Sequence, residues 1–206
     1  QGMRIALDNR IRVLAVRNEL LEILDTMEGA IQKTERSVSR MIADTITEFD
    51  IYNEFLSKVK GVGPISSAKL IYFIKDVSRF PNVAKLWRYA GLGVVDGKAE
   101  KPVKGKPLSY NPEFKSFMYN IGVSMIRKKS KYKRIFDKAR EYYTRNRDWT
   151  KNHIRLAAMR KMEKLFLSHV WAVWRSLENL PIRDPYPVEY LGHTTILSPW
   201  EFVEED

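Results

Sequence analysis

From Leu20 to Met41 the chain repeats an apolar or near-apolar residue every three or four positions: Leu20, Leu24, Met27, Ile31, Thr34, Val38 and Met41. The steps run 4, 3, 4, 3, 4, 3, a heptad seam on a long helix rather than the alternation of a strand. Val13 and Val16 extend the seam upstream, and Gly29 weakens it in the middle, where a break or bend is expected. Periodicity fixes a face but not its partner. The seam packs on its own domain, folds back as an intramolecular coiled coil, or joins two copies as a homodimer. Residues 3–47 are set apart on this ground, and no catalytic group stands out among them.

Helical spacing continues downstream, so the expected fold class is all-α. A second amphipathic helix, about Phe49 to Lys58, leads into "VKGVGPISSAKLIYFI", Val59 to Ile74. Gly61 and Gly63 permit positive φ or close backbone approach. Pro64 suits the first helical position, where its missing N–H costs nothing. Ala68, Leu70, Ile71 and Ile74 then fill an inner face. Helix, Gly-Val-Gly, proline-started helix is the pattern of a helix-hairpin-helix, whose second helix presents unpaired N–H groups and a positive dipole end. A DNA phosphate binds such a point without any base being read. The plainer alternative is an αα turn capped by glycine. The candidate DNA-binding residues here are Lys58, Lys60, Gly61, Val62, Gly63, Ser66 and Lys69.

The spacing recurs at Gly91 and Gly93, after the helix "NVAKLWRYA" from Asn82 to Ala90. The residues beyond Gly93 do not read as helix, so Gly91 is expected to be a C-cap. Trp87 and Tyr89 are expected to pack, and Arg88 to be exposed and to join the DNA-binding set. Residues 93–110 are irregular, and the Asp96-Gly97 turn signal suggests a short β-hairpin or a loop. Lys98, Lys101, Lys104 and Lys106 make this stretch basic, as a solvated loop or one that tracks DNA. Asn111 and Pro112 start another helix with Phe114, Phe117, Met118, Ile121, Met125 and Ile126 on one stripe. It ends in the densest positive run of the chain, Arg127, Lys128, Lys129, Lys131, Lys133 and Arg134. A last long helix, about Asp148 to Asn179, carries His169 on its apolar stripe, which favours a satisfied core histidine. From Asp184 to Asp206 there are six acids and no lysine or arginine. The prolines and aromatics of this tail, residues 181–206, suggest an extended strap over the basic body.

Charge and composition narrow the function. The 206 residues carry a formal net charge of +11, which favours a polyanionic partner. The absence of cysteine excludes a thiolate metal site, a disulfide framework and a cysteine nucleophile, and three scattered histidines argue against zinc. No metal and no cofactor are expected. No apolar run approaches the roughly 18 to 20 residues of a membrane span, and no secretory signal is present, so a cytoplasmic, nucleoid-associated or virus-encoded protein is expected. Gln1 and Gly2 ahead of Met3 read as a tag remnant.

The stretch "FLSKVKGVGPISSAKLIYFIKDVSRFPNVAKLWRYAGL" resembles the C-terminal transposase domain of the bridge-RNA-guided insertion-sequence transposases. The resemblance rests on the Gly-Val-Gly-Pro turn at Gly61 to Pro64, the "RFP" turn at Arg79 to Pro81 and the "YAGL" helix end at Tyr89 to Leu92. It extends over about residues 10 to 180 and is nearest to compact stand-alone relatives of archaea and viruses. It implies a DNA-binding scaffold for residues 48–180. Two departures limit what it carries. The family's RuvC-like domain with its acidic tetrad is not expected here. The family's Ser-Gly step falls near Ala99, in "DGKAEK", and the nearest hydroxyls are Ser109 and Tyr110. No catalytic residue is transferred. The expected function is sequence-independent DNA binding. The alternatives are a minimal recombinase or the partner subunit of one, and a dimeric RNA-binding structural protein.

Overall fold

Asparagine, threonine and proline decide where several helices begin. The structure, a computed structural model, describes residues 2–15, 21–95, 98–100, 104–105, 107–182 and 197–204. Its helices are α1 (Gly2–Ala15), α2 (Leu21–Thr45), α3 (Asp50–Glu54), α4 (Pro64–Ile74), α5 (Val83–Tyr89), α6 (Pro112–Arg127), α7 (Lys133–Asn146) and α8 (Lys151–Leu177). Asn82 caps α5 by accepting from Lys85 N at 3.1 Å. Asn111 caps α6 by accepting from Glu113 N and Phe114 N, both at 3.0 Å, with Pro112 in the first turn. Thr150 does the same for α8. Each cap satisfies a first-turn amide that has no carbonyl behind it.

The all-α expectation holds. The only strands among the described residues are the two-residue pieces β1 (Val94–Val95) and β2 (Lys98–Ala99), paired antiparallel around the Asp96-Gly97 turn signal. The helix expected over Phe49 to Lys58 is shorter. It stops at Phe55, whose φ of −135° and ψ of −58° leave the helical region, and resumes as a 3-10 turn at Leu56–Lys58. Both Phe55 and Leu56 are fully buried, so inward packing of two adjacent residues takes precedence over one regular helix.

The chain divides into two units, Gln1–Glu48 and Phe49–Asp206. In the first, α1 and α2 pack together, and Arg4 Nε donates to Glu35 Oε2 at 2.9 Å. Arg4 opens α1 and Glu35 lies past the middle of α2, so the helices run antiparallel. Helix α2 passes through Gly29 without a break. In the second unit α8 is the spine, packed by α3, α5, α6 and α7. Trp171, Phe166, Leu167 and Met162 on α8 are buried, opposite Phe114, Met118 and Met125 of α6 and Tyr132 and Phe136 beside and within α7.

His169 is the satisfied core histidine expected from its stripe. Leu197 O can only accept, so Nε2 carries the proton and donates to it at 3.0 Å, while Nδ1 accepts from the Tyr132 hydroxyl at 2.7 Å. Burial lowers the His169 pKa to about 4 and raises that of the enclosed Tyr132 phenol.

Candidate nucleic-acid interface

The two glycines of the Gly-Val-Gly turn do different work. Gly61 has φ +94°, and a Cβ there would lie 3.0 Å from Met125 Cα and 3.1 Å from Met125 N. Its carbonyl accepts from Ser124 Oγ at 2.7 Å. Gly61 is thus the contact that seats the turn on the last part of α6. Gly63 has ordinary extended backbone (φ −91°, ψ 176°), and nothing lies within 4 Å of a Cβ built on it. It is the N-cap of α4 and brings no side-chain acceptor to the first-turn amides. Pro64 has no N–H, so the amides of Ile65 and Ser66 head an open, uncapped helix end. Val62 is buried and fastens the turn from within, through Val62 N to Val59 O at 3.0 Å.

That seating joins two motifs that lie far apart in sequence. Arg127 and Lys128 follow Ser124 by three and four residues, so they stand within about one helical turn of the Gly61 contact. Lys60, Arg127, Lys128 and Lys129 are exposed and have no ion pair among the described residues. Lys129 takes φ +57° as Ser130 N closes back on Met125 O at 2.9 Å, which caps α6. These cations also complement the negative end of the α6 dipole. The rest of the positive run is engaged. Lys133 pairs with Asp137, Lys131 Nζ donates to Val203 O at 2.7 Å, and Arg134 pairs with Glu201 at 3.3 Å while lying 4.1 Å over the Phe202 ring. Lys58 pairs with Glu54 at 3.7 Å, and its carbonyl accepts from Glu204 N at 2.9 Å. The acidic C-terminal segment therefore reaches one edge of the basic area, held by the fully buried Phe202. Lys69 is exposed on α4, its ammonium 5.3 Å from the Phe117 ring centroid.

A second group of the expected residues sits at the other end of α6. Arg88 Nε contacts Ser109 Oγ at 3.4 Å, and Ser109 donates from both its N and its hydroxyl to the Glu100 carboxylate. Those bonds from Ser109, with Arg88 and Lys115 nearby, lower the Glu100 pKa. Ser109 and Glu100 thus clasp the two sides of this loop to each other. Lys104 is exposed in a turn, Lys98 lies in β2, and Lys101 and Lys106 lie outside the described residues, as does Asp96. From Tyr110 to Ser124 along α6 is about 20 Å at 1.5 Å per residue, so the expected set forms two clusters and not one. Among the described residues no group of three or more His, Asp or Glu is placed to hold a metal ion, and no helix is long and apolar enough to cross a membrane.

The remaining motif turns are fastened to α8. Phe80 O accepts from Trp171 Nε1 at 2.7 Å and from Arg175 Nη1 at 3.3 Å. Arg160 donates to the carbonyls of Gly91, Leu92 and Gly93 at 3.2, 3.1 and 3.0 Å. Gly91, at φ +67°, ends α5 as the expected C-cap, with Leu92 N bonded to Trp87 O at 2.8 Å. The Gly-Val-Gly, Arg-Phe-Pro and Tyr-Ala-Gly-Leu motifs are each anchored by a side chain or backbone from α6 or α8. Residues 53–137 match the transposase IS116/IS110/IS902 family. The IS110 group is that of the bridge-RNA transposases, so the match agrees with the resemblance carried by those three turns. The matched segment contains the hairpin, the Glu100–Ser109 clasp and the free end of α6. It stops before α8. No curated protein and no solved structure matches the chain.

Proposed function

We propose that the second unit binds duplex DNA through its phosphate backbone and reads no base sequence, with the Leu56–Ile74 segment acting as a helix-hairpin-helix. The observation that carries this reading is the open, uncapped start of α4 beside four unpaired cations, Lys60 and Arg127 to Lys129. Amides at a helix start and mobile ammonium or guanidinium groups are complementary to phosphate and indifferent to bases. Arg88, at the other end of α6, supplies a second, weaker phosphate contact. A separation of about 20 Å corresponds to roughly six base pairs of duplex at 3.4 Å each.

Two unrelated duplexes of equal length should bind with equal affinity, and log affinity should fall with log salt by about 0.9 per contacted phosphate. Replacing Arg127 and Lys128 together with glutamine should make that slope shallower by roughly two. Anisotropy titrations over a salt series measure both quantities. An unmoved slope in the double variant would place these cations away from DNA.

We further propose that the first unit dimerises. Ile23, Met27, Thr34, Val38 and Met41 fall in one arc of about 60° on α2. Four of them are large apolar residues left exposed, Met41 at 65%. A second α1–α2 pair would cover this stripe as a four-helix bundle. Light scattering should give a dimer for the chain and a monomer for a Met27→Glu, Val38→Glu variant. A monomeric wild-type chain at tens of micromolar would exclude this pairing.

A further inference from the structure

The turn between α7 and α8 carries a group of exposed rings that the hairpin interface leaves unused. Trp149 stacks on His153 with centroids 4.2 Å apart and planes 11° from parallel. Tyr143 lies 5.4 Å from Trp149 at a tilted angle, and Tyr142 follows at 5.7 Å from Tyr143. Tyr142 is 54% exposed and Trp149 37%. Tyr142 and Trp149 thus leave part of their ring surface open at the helix-hairpin tip. A cation stands beside them. The Arg147 guanidinium is 5.6 Å from the Trp149 centroid, and Arg155 sits 6.0 Å over the ring of Tyr119 on α6, itself 39% exposed. Residues 138–155 hold six lysines and arginines against two acids, Glu141 and Asp148. Glu141 is taken by Arg145 at 2.6 Å, while Arg147, Lys151 and Arg155 have no ion pair among the described residues.

Flat rings with an unpaired cation beside them, here Arg147 next to Trp149, are the two parts of a single-strand binding site. The rings stack on bases, which every base permits, and the cations follow the phosphates. A paired duplex keeps its base faces covered and offers such rings nothing. We infer that the α7–α8 tip binds unpaired nucleotides, with the Trp149–His153 stack and Tyr142 as the base platform and Arg147, beside Trp149, as the phosphate contact. The inference rests on the nucleic-acid reading of the second unit but assigns it a separate site and a separate substrate form, a single-stranded end or an opened segment. Unpaired DNA and unpaired RNA share this chemistry, and the test separates them.

The experiment titrates the full chain with labelled oligo-dT and oligo-U of about a dozen nucleotides, within the site sizes such surfaces cover, and with a blunt duplex of the same length. Trp149→Ala should weaken oligonucleotide binding about tenfold or more and leave blunt-duplex binding unchanged. Trp149→Phe should keep oligonucleotide affinity within about threefold, because a ring still stacks. Thermal melts confirm that each variant is folded, and Tyr142→Ala, at a more exposed position, repeats the test if Trp149→Ala is not. Loss confined to oligo-dT or to oligo-U names the strand the tip takes. The inference is overturned if folded ring variants bind oligonucleotides as the wild type does, or if they lose duplex and oligonucleotide affinity in equal measure. Oligonucleotide binding that survives failure of the duplex titrations would leave the tip standing and remove the hairpin reading.

Discussion

Gly61→Ala should cost the protein about 3 kcal/mol or more of stability, while Gly63→Asp, two residues on, should cost nothing. The reasons differ in kind. An alanine at φ +94° is strained by its own backbone, and its Cβ would meet the backbone of Met125 and Ser124 at 3.0 to 3.2 Å. Backbone atoms of a packed helix have no rotamer through which to yield, so strain and overpacking add. For a chain of this size that loss lowers the melting temperature by about 10 °C. Gly63 has extended backbone and open space around it, and aspartate is a good N-cap in that conformation, so its carboxylate should accept from the first-turn amides of α4. Differential scanning calorimetry of the two variants measures the contrast. Equal stabilities would show that the Gly61 contact on α6 does not hold the turn.

The second large effect concerns Glu163. Its side chain is buried on α8, and Oε1 has no hydrogen-bond partner among the described residues. A Cβ on Gly122 would lie 2.7 Å from that oxygen, so the bare backbone of α6 makes room for it. Burial raises its pKa from 4.5 to about 7, against the opposing pull of Arg160. The folded protein therefore holds a proton that the unfolded chain releases, and stability falls as pH rises from about 4.5 through about 7. A shift of this size corresponds to roughly 3 kcal/mol. His169 works in the opposite sense. With its folded pKa lowered from 6.5 to about 4, it contributes stability that is present above pH 6.5 and lost as pH falls through 4. The two slopes largely cancel between pH 4.5 and 6.5, so the wild type should look flat there. Glu163→Gln removes one of them. Chemical denaturation at several pH values should show the variant gaining on the wild type by about 3 kcal/mol between pH 4.5 and 7. Parallel stability curves would mean that Glu163 is already ionised in the folded protein.

Much of the helical frame can be read without coordinates, because its signals are local. The Asn111-Pro112 start of α6, the Pro64 start of α4 and the apolar stripe through Phe114, Met118 and Met125 each lie within a few residues of what they determine. The role of Gly61 is different. Its partner, Ser124, stands 63 positions away, so sequence assigns the glycine to a turn without showing that α6 is why no side chain fits. The Arg-Phe-Pro and Gly-Leu-Gly turns are likewise held by Trp171, Arg175 and Arg160, at separations of 67 to 95. The positive run from Arg127 to Arg134 looks uniform in sequence. Folding divides it, because the distant Val203 and Glu201 engage Lys131 and Arg134 and leave Arg127 to Lys129 open. The ring group near Trp149 did have a local signal, aromatic residues interleaved with cations in "YYTRNRDW", but helical periodicity does not register it.

The most direct test of phosphate binding at the hairpin is the affinity of Gly63→Asp for two unrelated duplexes at one fixed salt concentration, beside the wild type. The new carboxylate would occupy the amides that a phosphate needs and repel the phosphate itself, without disturbing the contact that Gly61 makes with α6. The account predicts a variant as stable as the wild type whose affinity falls at least tenfold, equally for both duplexes, from the loss of charge-assisted bonds. A stable Gly63→Asp protein that binds both duplexes as tightly as the wild type would contradict it.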